Sequence, residues 1–473
     1  MNRTLQPEIQ ELVQFNILPP VRTVMPNGVP LTIINAGEQD VVRVDILFGG
    51  GRWQQSQKLQ ALFANRMLRE GSRKYTAAEI AEKLDYYGAW LELSSSAEYA
   101  YITLYSLNKY FAETLDVLES IIKEPLFPEK ELGTVIDANI QQYQVNASKV
   151  DFLAHRSLLR ALYGEEHPCG RYVEETDYHH ITPALLREFY DTYYHSGNCY
   201  VYLSGKVTDE ITHRIEAAFG TTHFGNHQQV AVKKDFTFVS IPEKRLFIER
   251  EDAMQSAVKL GTTTFMRTHP DYLKLRVLIT LFGGYFGSRL MSNIREEKGY
   301  TYGISAGIMF YPGSGLLGIS TETTNEYVEP LIQEVYKEID KLQNDKVTPE
   351  ELAMVRNYML GEMCRNYESP FSLADAWMFI LTSGLDDDYF ARSLQAVKEV
   401  TMLLVLIPLS FISFAIRKGV NSESFSFTFH VFPFVNVAIL KNGFSFTIWL
   451  TPFHFSGIYG TIFKRVISYL DFC

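Results

Sequence analysis

Two side chains in the stretch SRLMSNIREEKGYTYGIS are suited to chemistry on a peptide. Arg295 lies near the end of a predicted helix. Tyr302 follows a glycine turn at the entry to a predicted strand. A guanidinium and a phenol converging there would donate hydrogen bonds to a peptide carbonyl, or to its oxyanion as charge develops. A surface arginine and a half-buried strand tyrosine are also commonplace, so the pair alone assigns no function.

Other chemistries find weaker footholds. His179 and His180 sit in EETDYHHIT near Glu174, Glu175 and Asp177, donors that could take a divalent cation. The segment reads, however, as an exposed loop ahead of a helix cap. His223 and His227 are four apart, but Gly225 between them spoils a helical ligand pair. His167 and Cys169 are neighbours, and one neighbouring pair is no catalytic dyad. His-Glu-x-x-His and its inverse are both absent. Gly49–Gly51 and Gly283-Gly284-x-x-Gly287 lack phosphate-binding spacing and read as close packing or turns.

The elements that position these residues follow from periodicity and capping. Val41–Phe48 alternates as a strand, and helical periodicity runs from Lys58 to Glu70. Thr76-x-x-Glu79 is a capping box opening a helix that stops at Gly88. Trp90–Leu93 and Tyr99–Leu107 read as paired strands. Helices are expected at Tyr110–Lys123, Pro128–Val145 and Val150–Tyr163, and another from Thr182-Pro183 to Tyr194. A strand at Cys199–Leu203 and a helix at Asp209–Phe219 follow. After a polar stretch the order repeats. Strands are expected at Val258–Thr264, Tyr302–Phe310 and Gly315–Thr321. Helices are expected at Tyr272–Phe282, Glu326–Leu342, Thr348–Cys364 (a capping box with Glu351) and Pro370–Leu381. PEKEL at Pro128 and PEEL at Pro349 open corresponding helices 221 residues apart. The expected class is α+β: two homologous halves, each an antiparallel sheet covered by helices.

Composition narrows the function classes. A net charge of −11, with no run of Lys or Arg, argues against nucleic acid as a partner. Four scattered cysteines make neither a disulfide framework nor a metal clip, which suits a reducing compartment. No apolar signal segment is visible at the start, so a cytoplasmic location is expected. Beyond residue 400 the composition changes. The last 73 residues hold 13 of the 32 Phe, five basic residues and two acids. The run 402–416 is 15 residues long and contains Pro408, short of the roughly 20 residues of a membrane span. A membrane partner is therefore not expected. Phe-Ser alternation has the period of a strand. The favoured reading is an anomalous tail over 401–473, left by departure from an ancestral reading frame near residue 401.

With these residues in view, the chain resembles the insulinase/pitrilysin-type zinc peptidases, in particular the short two-half chains of the mitochondrial processing peptidase kind. The resemblance covers about residues 20–400. It rests on PNGVPLTII, on LFGGGRWQQSQKLQALFANRMLREGS, on HITPALLREFYDTYYHSGNCYVYLSG and on LFGGYFGSRLMSNIREEKGYTYGISAG. It implies a peptidase-like half over 20–220, a linker over 221–237 and a second half over 238–400.

The resemblance also implies where a zinc site would lie. Catalytic members carry His-x-x-Glu-His on the first long helix and a further Glu downstream. Here those positions are Leu62, Asn65, Arg66 and, near the distal Glu, Gln142. An aliphatic group, two neutral amides and a permanent cation cannot hold zinc or activate its water. No metal and no catalytic residue is therefore expected in this chain alone. The second half keeps the family's Arg/Tyr pair as Arg295 and Tyr302, which implies substrate binding. The reading implied is a non-catalytic subunit that positions a peptide or unfolded polypeptide for a homologous, zinc-bearing partner chain. The alternatives are a scaffold without proteolysis and an independent hydrolase using His179 and His180. The resemblance further implies a strand and a helix after residue 400. If the tail does not supply them, the second sheet lacks an element and exposes apolar surface.

Overall fold

The computed structural model describes residues 17–227 and 236–401, together with three strands between 425 and 448. The first half is built on a six-stranded sheet of β1 (Val21–Val24), β2 (Pro30–Asn35), β3 (Val41–Phe48), β4 (Trp90–Ser95), β5 (Ala100–Leu107) and β6 (Cys199–Gly205), in the order β1-β2-β6-β3-β5-β4. All pairings are antiparallel except that of β2 with β6. Helices α1 (Gln60–Arg66), α2 (Ala77–Tyr86), α3 (Phe111–Lys123), α4 (Glu129–Ala147), α5 (Val150–Tyr163), α6 (Glu175–Tyr178), α7 (Pro183–Tyr193) and α8 (Asp209–Ile215) accompany it. β3 is buried along nearly its whole length because it is central in the sheet and covered on both faces.

Local chemistry explains most boundaries. The Thr76 hydroxyl accepts from the Glu79 amide, and the Glu79 carboxylate accepts from the Thr76 amide. Thr182 caps α7 with Pro183 in its first turn. The helix expected over Lys58–Glu70 is shorter: Leu59 takes a positive φ of 71° ahead of α1, and Met67–Glu70 tightens into a 3-10 turn. Glycines 49 to 51 are packing residues: an added Cβ would lie 2.5 Å from the Ala97 carbonyl oxygen at Gly51.

Among the described residues, the second half repeats the plan with three strands. β7 (Ser256–Thr264), β8 (Thr301–Tyr311) and β9 (Ser314–Thr323) form a sheet in the order β7-β9-β8. Helices α9 (Tyr272–Ile279), α10 (Val328–Asn344), α11 (Pro349–Asn366), α12 (Pro370–Thr382) and α13 (Tyr389–Glu399) complete it. Thr348 caps α11 as its sequence demands, but Glu351 turns away to hold Arg289 at 2.7 and 2.9 Å. Gly283 lies against Ala306, where a Cβ would approach to 2.6 Å.

The halves exchange helices. α5 of the first half packs on β7, and α12 of the second packs on β2 and β6. Leu373, Ala374, Trp377 and Met378 thereby share a core with Ile34, Leu47 and Tyr202. Ion pairs fix both exchanges. Arg43 on β3 reaches Asp375 on α12 at 2.5 Å, and Lys259 on β7 reaches Asp151 on α5. The end of the expected linker is also packed: Phe236 and Phe238 lie against His167, beside Trp53 and Tyr163. In the tail, β10 (Phe425–His430), β11 (Asn436–Asn442) and β12 (Ser445–Ile448) pair antiparallel in that order. The run 402–416 lies outside the described residues. Among those described, no helix is long and apolar enough to cross a membrane.

Candidate functional site

Arg295 and Tyr302 are brought together by a turn that the sequence specifies. Met291–Glu297 is a π-helical turn anchored by buried Met291 and Ile294, with Arg295 on its outer side. Gly299 adopts a φ of 66°, which a side chain would strain, and sends the chain into β8. The pairing of β8 with β9 then shifts register between Thr301 and Ile304. The shift is held by hydrogen bonds. The Gly303 amide donates to Thr301 Oγ1 at 3.1 Å, and the Thr321 hydroxyl donates to the Gly303 carbonyl at 2.9 Å. Such an irregularity re-aims a side chain, and here Tyr302 is left 91% exposed.

The guanidinium of Arg295 lies 5.3 Å from the Tyr302 ring centroid and 4.5 Å from that of Phe286, which is also exposed. It is ion-paired with the adjacent Glu296, at 3.4 Å. The result is an outward-facing patch with one apolar ring, one phenol and one cation, able to donate to a carbonyl while resting against a side chain. Phe286 is the member that sequence reasoning missed. Its signal was weak: an aromatic residue inside a glycine-rich turn, with no spacing rule linking it to Arg295.

The first-half positions are occupied differently. Asn65 is buried, and its Nδ2 donates to the carbonyls of Ser94 (2.5 Å) and Tyr101 (3.2 Å). Arg66 is exposed and its guanidinium bonds the Asn139 side chain on α4. Leu62 packs against the first-half core. Gln142, exposed on α4, donates to Asn146 at 3.4 Å. A cation placed here would meet amide hydrogens, an aliphatic chain and a fixed positive charge. The donor set does not fit zinc. Among the described residues no group of three His, Cys, Asp or Glu side chains is placed to hold a metal ion. Among the described residues, no hydrogen bond or ion pair joins these four to Arg295 or Tyr302.

The remaining candidates are structural. His179 and His180 are exposed in the turn after α6, and Asp177 is engaged by Lys58 at 2.9 Å and by the Glu174 amide. Burial pushes the Cys169 thiol up to about 12, which disfavours the reactive thiolate. The His167 ring accepts the Cys169 amide at 3.1 Å. His223 and His227 stack at 4.0 Å, and His223 Nδ1 pairs with the Ser196 hydroxyl at 3.2 Å.

The sequence and the fold have known relatives. Residues 32–176 match the family described as insulinase (peptidase family M16), and residues 180–359 match the peptidase M16 inactive domain. An uncharacterized zinc protease of Bacillus subtilis, YmxG, is 24% identical over 348 residues, covering 72% of this chain and 83% of its own. An uncharacterized zinc protease of Rickettsia felis is 25% identical over 344 residues, 71% of this chain and 81% of its own. Among solved structures, a peptidase M16 inactive domain from Pseudomonas fluorescens superposes with a TM-score of 0.72 at 21% identity, over 83% of this chain and 95% of its own. A protease from Helicobacter pylori gives 0.75 at 15% identity, over 83% and 97%.

Proposed function

This chain belongs to the insulinase family of peptidases, and we propose that within it the chain acts as a substrate-positioning subunit whose zinc-bearing partner is a separate, homologous chain. One contrast carries the reading. Exposed Tyr302 and Arg295 lie side by side, whereas the positions that hold zinc in catalytic relatives are Leu62, Asn65, Arg66 and Gln142.

The two chains would enclose a chamber that admits peptides or unfolded segments. The substrate would lie extended, paired to a sheet edge so that its carbonyls are presented in fixed register. The partner would supply the zinc ion and the water it activates. Arg295 and Tyr302 would donate to the carbonyl oxygen next to the cleaved bond and hold its charge as it grows. Donors fixed before reaction stabilise that charge without reorganising, which is worth about 10²–10³ in rate for one donor.

The test is reconstitution. The chain is expressed alone and together with a zinc-motif relative, and cleavage of an unfolded peptide is measured. Cleavage only in the mixture, lost in Arg295→Ala and Tyr302→Phe, is the expected result. Cleavage by this chain alone overturns the reading. Full activity of both variants in the mixture favours a scaffold without a substrate role.

A further inference from the structure

Arg295 sits on a turn that opens wider than an α-helix. The Lys298 amide donates to the Asn293 carbonyl, five residues back, at 2.9 Å, which closes a π-type ring within Met291–Glu297. Turns of this kind are rare and stand mostly at functional sites. The direction of Arg295 depends on how that wide turn is held.

Asn293 holds it from the inside. It is 8% exposed and shares the inner side of the turn with Met291 and Ile294, two residues before Arg295 on the outer side. Its Nδ2 donates to Glu338 at 2.6 Å and to Glu334 at 3.2 Å, both on α10. Turning the amide over would set its oxygen against two carboxylates, so its orientation is fixed. Glu338 is 4% exposed, on the face of α10 that otherwise buries Leu331, Val335, Ile339 and Leu342. Lys341, one turn further along α10 and half exposed, also donates to Glu338, at 2.7 Å.

Stability alone does not account for an amide and a carboxylate buried here. Apolar side chains of similar shape in place of a buried polar pair are often neutral or stabilising. What the pair adds is direction, because a hydrogen bond fixes a distance and an angle that apolar packing leaves loose. The other contacts of the Arg295 guanidinium are surface ones: the Phe286 and Tyr302 rings and the Glu296 carboxylate. Neither Asn293 nor Glu338 touches the outward patch, so both act through the turn.

We propose that Asn293 and Glu338 are positioning residues: their hydrogen bond ties the π-turn to α10 and thereby aims Arg295 at the peptide. The inference rests on the substrate role proposed above for Arg295, but the clasp itself is tested without cleavage. The full chain is prepared with isotopically labelled arginine, and the Arg295 Nε–H signal, identified by its loss in Arg295→Lys, is followed by NMR. In the parent chain the neighbouring rings displace this signal. In folded Asn293→Leu and Glu338→Leu it should move toward the position of a free surface arginine. Glu338→Gln keeps an acceptor for Asn293 and should leave it in place. An unmoved signal in Asn293→Leu overturns the proposal whatever happens to cleavage.

Cleavage by the mixture with a zinc-motif relative is the second readout. Asn293→Leu and Glu338→Leu should lower kcat about 10- to 10²-fold, the scale of a displaced catalytic group, with KM changed less than about twofold. Glu338→Gln should restore kcat. In the Arg295→Ala chain neither leucine substitution should lower the rate further, because both act through the same guanidinium. Additive losses, or a glutamine variant as slow as the leucine one, overturn the proposal. A moved signal together with full cleavage by Arg295→Ala upholds the clasp and overturns the substrate role of Arg295 instead.

Discussion

The two halves meet the same packing problem with different completeness. β3 is an interior strand, and its polar side chains are sealed into internal partnerships. Arg43 bonds Asp45 at 2.9 Å as well as Asp375, and the Thr103 hydroxyl donates to Asp45 at 2.7 Å. β7 occupies the equivalent place and, among the described residues, is an edge; Lys259 there meets Asp151 and Ser320. The contrast extends to the functional positions. In the first half, Asn65 Nδ2 and the Arg66 guanidinium bond groups of their own chain. In the second half Tyr302 faces solvent, with Arg295 partly exposed beside it.

The largest effect should come from the sealed side. Arg43→Met leaves the Asp45 carboxylate buried without its counter-charge, and about 3–5 kcal/mol of unfolding free energy should be lost in urea titrations. Lys259→Met frees an Asp151 that already reaches solvent, and about 1 kcal/mol or less should be lost. Equal losses would mean that completeness of the sheet does not set the strength of these clasps. Asp45 adds a pH signature. Burial raises its pKa from 3.8 to about 6, outweighing the Arg43 charge and the Thr103 hydrogen bond. Its contribution to stability is therefore present below pH 3.8 and is lost as pH rises through about 6. Asp45→Asn should flatten that part of the stability profile.

On the open side the sign of the result reverses. Arg295→Ala and Tyr302→Phe should lower cleavage by the reconstituted mixture about 10²–10³-fold. Their unfolding midpoints should stay within about 0.5 kcal/mol of the parent, because both side chains contact little that is buried. A large loss of stability would place them with Arg43 rather than opposite it. Asn65→Ala should do the converse. Two carbonyls lose their donor, at a cost of about 1–3 kcal/mol, while activity per folded molecule in the mixture stays constant.

What the sequence discloses follows from the range of the forces involved. α5 begins and ends where periodicity places it, and Thr76, Thr182 and Thr348 cap as their neighbours require. These are contacts within one turn of helix. The exchange of α5 and α12 depends on residues far apart in the chain, and no local pattern at Arg43 announces Asp375. Glu351 shows the same competition on a smaller scale: its spacing fits a capping box, and a bidentate arginine outbids the backbone amide. At the site, Arg295 and Tyr302 were legible as a motif. The contact of Phe286 with Arg295 needed three dimensions.

The smallest effect tests how the open patch is organised. Phe286 is exposed, yet its ring lies 4.5 Å from the Arg295 guanidinium, nearer than the Tyr302 ring at 5.3 Å. An exposed cation–π contact is worth about 0.5–1 kcal/mol. If that energy fixes the guanidinium toward Tyr302, Phe286→Ala should lower cleavage by the mixture about two- to fivefold, since 1.36 kcal/mol corresponds to a factor of ten. Phe286→Tyr keeps the ring and should restore the rate, whereas Phe286→Leu keeps apolar bulk without the ring face and should not. Restoration by leucine would show that Phe286 contacts the substrate as a hydrophobic surface, and Arg295 would then be held in place by the turn of Met291–Glu297 alone.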